Sequence, residues 1–234
     1  MGEQLVTYER DGDVGIVTMD DGKANVISIP MVGALNEALD EAERDGVVVV
    51  VEGREGRFSG GFDLGTLTGG GEDLVTLLIG GFEVAERLLN HPTPVVTSCT
   101  GHAMAMGAFL LLSGDHRVGA EGPFKITANE VAIGMTLPLA PAEICRLRLT
   151  ATEFQRATLL AQVYSPSEAV GAGFLHEVVA PEELATRARD AAHRLAQLDM
   201  PSFQGTKQQV NAAALAALRS AIEADRAAAE AMIA

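Results

Sequence analysis

The run Val47–Val51, closed by Glu52 and Gly53, constrains the fold more than any other stretch of the chain. Five consecutive β-branched residues read as a buried strand. The segment FSGGFDL, residues 58–64, follows almost at once. Gly60 and Gly61 let the backbone turn sharply there and leave main-chain N–H groups bare. Bare N–H groups beside a buried strand end can bind an anion, or an oxygen that is becoming one. Taken alone, the stretch also reads as nothing more than a tight turn.

The rest of the chain alternates in a way that predicts α/β layering. Residues 5–10 and 14–20, separated by Asp-Gly-Asp, read as a hairpin. Pro30 opens a helix on which Met31, Leu35, Ala38, Leu39 and Ala42 recur at helical spacing. The valine strand follows, and GTLTGGGED at 65–73 reads as a loose loop. A second amphipathic helix, marked by Leu74, Leu77, Leu78, Phe82, Ala85, Leu88 and Leu89, ends at His91-Pro92-Thr93-Pro94. VVTSC, residues 95–99, is another buried strand, and residues 101–120 hold a short apolar helix and then a strand. Strands linked by helices imply a parallel sheet. From about residue 138 the chain predicts three short helices, the brief strand FLHEVV, and two longer Ala-rich helices at 181–198 and about 203–233.

Composition narrows the function. Seventeen basic against 32 acidic residues give a net charge of −15, which argues against nucleic acid and anionic membranes. No apolar stretch is long enough to span a bilayer, the polar N-terminus is not a signal peptide, and Cys99 and Cys145 stand alone. A cytoplasmic protein is the expectation. The five His residues are scattered with no HExxH or Cys/His cluster, so no metal site is expected. Asp115-His116 reads as a structural Asp beside a surface His, since adjacent strand residues face opposite ways. The Gly-rich 69–71 stretch lacks the Gly-Lys-Ser/Thr of a P-loop and reads as a mobile connector.

Two glycine-containing turns, each after a buried strand, remain as candidate chemistry: FSGGFDL and GHAMAMGAF. One outward N–H from each makes a two-donor oxyanion hole, and a helix from about Met106 adds its dipole to the second. Downstream lies Glu130, flanked by Val131, Ala132 and Ile133. A carboxyl in apolar surroundings has a raised pKa suited to proton transfer. A surface Glu in a loop is the other reading.

VVVVVEGREGRFSGGFDL, PVVTSCTGHAMAMGAFLLLSGDHRVGA and NEVAIGM resemble, in order and spacing, the three signatures of the crotonase superfamily, the enoyl-CoA hydratase/isomerase family. The resemblance covers nearly the whole chain. It implies a crotonase-like spiral of ββα units over residues 1–180 and a helical C-terminal trimerisation region over 181–234. It also implies a homo-trimer or dimer of trimers that binds acyl-CoA thioesters, with CoA as part of the substrate and no other cofactor. By position, the oxyanion donors are the N–H groups of Phe62 and Met106. Met106 departs from the family's usual Gly, so its side chain is expected to narrow the pocket. Hydratases of the family use two Glu residues. The first falls on Phe109 here, which cannot move a proton, and the second matches Glu130.

One carboxyl beside an enolate-stabilising hole resembles the family's 3-enoyl to 2-enoyl-CoA isomerases, with Glu130 as the catalytic proton shuttle. A hydratase with a non-standard acid or base, and a non-catalytic acyl-CoA binder, are the alternatives. The same carry-over assigns Lys23, Ala24, Val26, Gly60, Asp63, Leu64, Gly107 and Phe109 to substrate binding, with Asp63 also expected to tie down its turn. Arg54 and Arg57 flank the first turn near the CoA end. Lys207 reads as a solvated surface charge, or as a group reaching a neighbouring subunit's ligand. Acyl length is expected to depend partly on a loop at 66–80.

Overall fold

The computed structural model describes residues 4–233. The chain opens with an antiparallel hairpin, β1 (Val6–Asp11) and β2 (Val14–Met19), followed by the short β3 (Val26–Ile27). Helix α1 (Ile29–Asp45) leads to β4 (Val48–Glu52), β5 (Gly56–Ser59) and β6 (Gly61–Phe62). Helices α2 (Leu64–Gly69) and α3 (Gly71–Leu89) lead to β7 (Val95–Cys99) and β8 (Gly101–Met104). Next come α4 (Met106–Leu112), β9 (His116–Ala120) and β10 (Ile126–Thr127), then α5 (Leu139–Arg148), α6 (Ala151–Leu159) and α7 (Pro166–Ala172). The brief β11 (Glu177–Val179) precedes α8 (Leu184–Leu195) and the 34-residue α9 (Met200–Ile233).

The main sheet has the order β1-β2-β4-β7-β9-β11 and is parallel from β2 onward. Its central strand explains the valine run. Val49 and Val51 face the large core beneath α1, α3 and α4. Val48 and Val50 face a second cluster with Val14, Ile16 and Val96, covered by Ala188, Ala191 and Ala192 of α8. A strand buried on both faces needs no polar alternation. The region expected as an oligomerisation arm therefore divides. Helix α8 seals the sheet, while α9 sends Leu215, Leu218 and Ile222 into the large core and pairs Arg219 and Arg226 with Glu86 and Glu83 of α3.

Helix α1 follows the sequence reading closely. Ser28 caps it by accepting from Met31 N–H, Pro30 sits in its first turn, and Gly46 ends it in the left-handed region. The 65–73 stretch does not: instead of a loose loop it is mostly helix. Asp63 caps α2 by accepting from the N–H and hydroxyl of Thr66 at 2.9 and 2.7 Å. The connector at 69–71 is a helix junction in which Gly70 and Gly71 adopt φ of 67° and 72°. Gly and Thr are weak helix formers, so the cap rather than the interior carried the helical signal.

Lys207 is another correction. It is neither solvated nor directed at a neighbouring ligand. Its side chain is 6% exposed and donates to Asp115 Oδ2 at 2.6 Å and to Leu88 O at 3.3 Å. Asp115 also accepts from Val95 N–H at 2.9 Å, so this pair ties α9 to the start of β7 and the end of α3. His116 faces away, 3.2 Å from Glu177. Cys99 and Cys145 are free and buried. Among the described residues, no helix is long and apolar enough to cross a membrane.

Removing one partner of a buried ion pair is costly, and Asp115 without Lys207 would keep only the more distant Arg148, at 3.8 Å. Lys207→Met is expected to lower stability by about 3 kcal/mol. The measurement is the urea midpoint at unchanged slope, and an unchanged midpoint would show that the pair does not bind α9 to the body.

Candidate active site

Two backbone turns form the floor of the site. Gly60 N–H donates to Ala24 O at 2.9 Å and Asp63 N–H to Ile27 O at 3.0 Å, so the β5–β6 connection is stitched to β3. Successive N–H groups on a strand point to opposite sides, and the Phe62 N–H therefore points away from β3. On the second turn, Ala105 has φ 49° and ψ −123°, a strained conformation for a residue with a side chain. Its N–H donates to Thr127 O at 2.9 Å and its C=O accepts from Ala108 and Phe109. That geometry begins α4 at Met106, whose N–H, in the first helical turn, has no intrahelical acceptor. Gly61 brings the turns together. A β-carbon there would lie 2.9 Å from Met104 O and 3.5 Å from Met106 N.

A cavity of about 210 Å³ opens over these turns. Its wall includes Gly60, Phe62, Leu64, Phe109 and Glu130 from the residues singled out in the sequence. Leu67 and Leu78 also line it, and they come from α2 and α3 rather than from a loop. Among the described residues on the wall, Glu130 is the one ionisable side chain and Asn129 the one other polar side chain.

Glu130 is buried at 6% exposure. Burial pushes its carboxyl up to about 7, opposed only by a hydrogen bond from its own backbone. The apolar surroundings differ from those expected. Val131 and Ile133 are exposed at 47% and 51%, because a single 3-10 turn after Glu130 carries them outward. Ile133 nevertheless lines the cavity with the carboxyl, and the rest of the apolar wall comes from distant elements. The Glu130 Oε2 and the Asn129 Oδ1 are both buried without a partner among the described residues.

The remaining expected residues fall elsewhere. Met106 is fully buried and not on the cavity wall, so it does not narrow the pocket. Its methyl group lies near Gly81 of α3. Gly107 is also off the wall. A β-carbon there would collide with Ser59 O and lie 2.7 Å from Ser59 Cβ, so its role is close backbone packing. Asp63 is off the wall too and serves as the α2 cap. Its hydrogen bonds to Thr66 hold its carboxyl below the usual range.

Lys23 and Ala24 are exposed on the loop before β3, and Val26, the first residue of β3, is half-buried; all three lie outside the cavity. Asp21 organises that loop. It accepts N–H groups of Lys23, Asn25 and Val26 at 2.7–2.9 Å. Burial opposes its ionisation, and these three bonds outweigh the burial and lower its pKa. Arg54 braces the same loop, donating to Lys23 O at 2.8 Å and pairing with Asp20 at 3.1 Å. Arg57 turns back onto its neighbour, donating to Gly56 O.

The sequence reading missed the contributions of Asn129, Met104, Ala105, Met135, Pro138 and Pro141 to the wall. Asn129 had a signal, as a polar residue beside Glu130 in an otherwise apolar stretch. The others are ordinary apolar or small residues brought in by distant elements. Among the described residues, no group of three or more metal-ligating side chains gathers in a metal-holding arrangement.

The sequence model of the enoyl-CoA hydratase/isomerase family matches residues 9–234, and the chain belongs to that family. A Mycobacterium tuberculosis protein, described in one solved structure as an enoyl-CoA isomerase, is 47% identical, with TM-score 0.93 over 97% of this chain and 99% of that one. Another structure of that protein describes it as a probable enoyl-CoA hydratase. A Pseudomonas syringae enoyl-CoA hydratase/isomerase family protein is 44% identical, with TM-score 0.93 over 95% and 96% of the two chains. Mouse mitochondrial enoyl-CoA delta isomerase 1 is 27% identical over 94% of this chain and 78% of its own length. The fold is that of the crotonase superfamily.

A carboxyl whose pKa rises on folding, from 4.5 to about 7, favours the folded state at low pH. That contribution is complete below 4.5 and is lost as pH climbs through about 7. Glu130→Gln is therefore expected to gain stability relative to the parent between pH 5 and pH 8, by up to about 3 kcal/mol. Urea unfolding at the two pH values measures the difference, and equal differences would place Glu130 in water.

Proposed function

We propose that this chain moves the double bond of a 3-enoyl-CoA to the 2,3 position. The observation that carries the reading is the single ionisable group, Glu130, on a wall that also holds Phe62 and the turn before Met106. The Glu130 carboxylate takes a proton from C2 of the substrate. The C2–H electrons pass into the thioester, whose oxygen becomes an enolate held by the N–H groups of Phe62 and Met106. The electrons then return. C2=C3 forms, C3=C4 breaks, and C4 takes back the proton from Glu130. The shift is redox-neutral and atom-balanced, so it calls for no cofactor beyond the CoA carried by the substrate. Hydration by the family's two-carboxyl route needs a second acid or base, and Phe109 stands where that carboxyl is expected.

A homo-trimer or dimer of trimers in a cytoplasmic setting completes the proposal. Exposed Val131, Ile133, Leu139, Leu159 and Leu160 leave more apolar surface than scattered single residues would, and the free cysteines suit a reducing compartment. Sedimentation equilibrium should give three or six times the chain mass, and a monomer would remove this part.

The deciding experiment pairs trans-3-hexenoyl-CoA with crotonyl-CoA. Isomerisation of the first without hydration of the second is the expected result, with kcat/KM rising as pH passes through about 7. Glu130→Gln should reduce it about 10²–10⁴-fold. Hydration of crotonyl-CoA would mean that another group supplies the missing acid or base. Binding of both esters without turnover would make the chain a binder.

A further inference from the structure

The cavity holds about 210 Å³. Its walls are apolar apart from Asn129 and Glu130. Part of that wall is the ring of Phe62, the residue whose N–H is the first proposed donor. The ring packs edge-on against Phe82, with centroids 5.8 Å apart at 66°. Behind it lies Gly81, buried in α3 and not itself on the wall. A β-carbon at Gly81 would collide with Phe62 Cε1 and lie 2.7 Å from Cζ, and it would also lie 3.7 Å from the Met106 methyl. The ring occupies the space that any other residue at 81 would fill.

We propose that Gly81, from outside the cavity, sets the length of acyl chain the site accepts by letting the Phe62 ring lie back against α3. The ligand class is accordingly an acyl-CoA whose chain length is limited by the position of that ring. This rests on the reading of the cavity as an acyl-CoA site, but not on the isomerase chemistry. A methyl at position 81 has the rigid ring as its nearest neighbour. The ring then has to shift toward the cavity, because helix backbone and Phe82 hold the other sides. Met106, with a flexible thioether and 3.7 Å of clearance, absorbs its share without moving the second turn.

The test is a binding series with saturated acyl-CoA esters from C4 to C12, measured calorimetrically. For the parent, affinity should rise about fourfold per added methylene, then level off at the longest chain the cavity admits. Gly81→Ala should move the break one to two carbons shorter. Phe62→Leu keeps the main-chain N–H and removes the ring, and should move the break one to two carbons longer. In the Phe62→Leu background, adding Gly81→Ala should leave the break where Phe62→Leu put it, since the clash is gone. If Gly81→Ala alone does not fold, recovery of folding in the double variant, with that same break, is the expected sign of the clash.

A folded Gly81→Ala protein with the parental break would overturn the inference. So would a double variant whose break is shortened as much as that of the single variant. Failure to bind any ester would overturn the acyl-CoA reading and this inference together. Binding with the expected breaks but no isomerisation would overturn the chemistry alone.

Discussion

The site depends on two backbones touching with no side chain between them. The β5–β6 segment and the β8–α4 segment lie in contact at three places. Gly101 packs on the Gly56 carbonyl, Gly107 on Ser59, and Gly61 on Met104 O. A β-carbon at any of the three would collide with main chain or with a rigidly held neighbour, which cannot give way as the end of a flexible side chain can. The contact fixes Phe62 and Met106 relative to each other, whatever their side chains are. Ala105 keeps φ at 49° because its N–H and C=O are both committed, to Thr127 and to the first turn of α4. A donor built from main chain tolerates Met where the family usually has Gly, provided the side chain has somewhere else to go. Gly81 supplies that place.

The helices then hold this contact against the sheet. Helix α3 presents Gly81 and Phe82 to the first turn, and α9 grips α3 by the Arg219–Glu86 and Arg226–Glu83 pairs. Those pairs are partly exposed and each contributes little. The buried Lys207–Asp115 pair is of another kind, since Lys207 without Asp115 would be a cation in low dielectric, while Asp115 also lies 3.8 Å from Arg148. Asp225 of α9 reaches the other wall of the cavity, accepting the N–H groups of Leu139 and Ala140 at the start of α5, next to Pro138 and Pro141. One helix thus steadies both sides of the pocket.

The long elements were legible because their periodicity reports burial directly. The five apolar positions expected on α1 are its buried face, and the valine run is a strand covered on both sides. Strands β3, β6 and β10 are two residues each and have no period to read. Helix α2 was hidden by poor helix formers, with only the Asp63 cap as a signal. The two turns could be read from their glycines. The surroundings of Glu130 could be read only in part, because of its flanking apolar residues only Ile133 reaches the cavity and the rest of the wall comes from elements distant in sequence. Lys207 was misread for the same reason. A helix pattern gives the face a residue occupies, whereas its partner, Asp115, lies 92 positions away.

The charge in the cavity gives the arrangement its sense. A carboxyl near its ordinary pKa is ionised at neutral pH but is a weak base. Burial raises it to about 7, where a substantial fraction stays ionised and the affinity for a proton is greater. In the proposed reaction, the negative charge on Glu130 moves to the enolate oxygen as the proton moves to Glu130. The cavity therefore holds one negative charge before and after the step, and its low dielectric does not oppose a charge that migrates rather than appears. A second carboxyl at position 109 would change this. Two anions in about 210 Å³ of apolar space would raise each other's pKa, and one would be protonated at neutral pH. Such a pair can deliver a proton and orient water, as hydration requires. Phe109 keeps the cavity to one charge, and in the proposed reaction it would leave an apolar surface beside the path of the proton from C2 to C4.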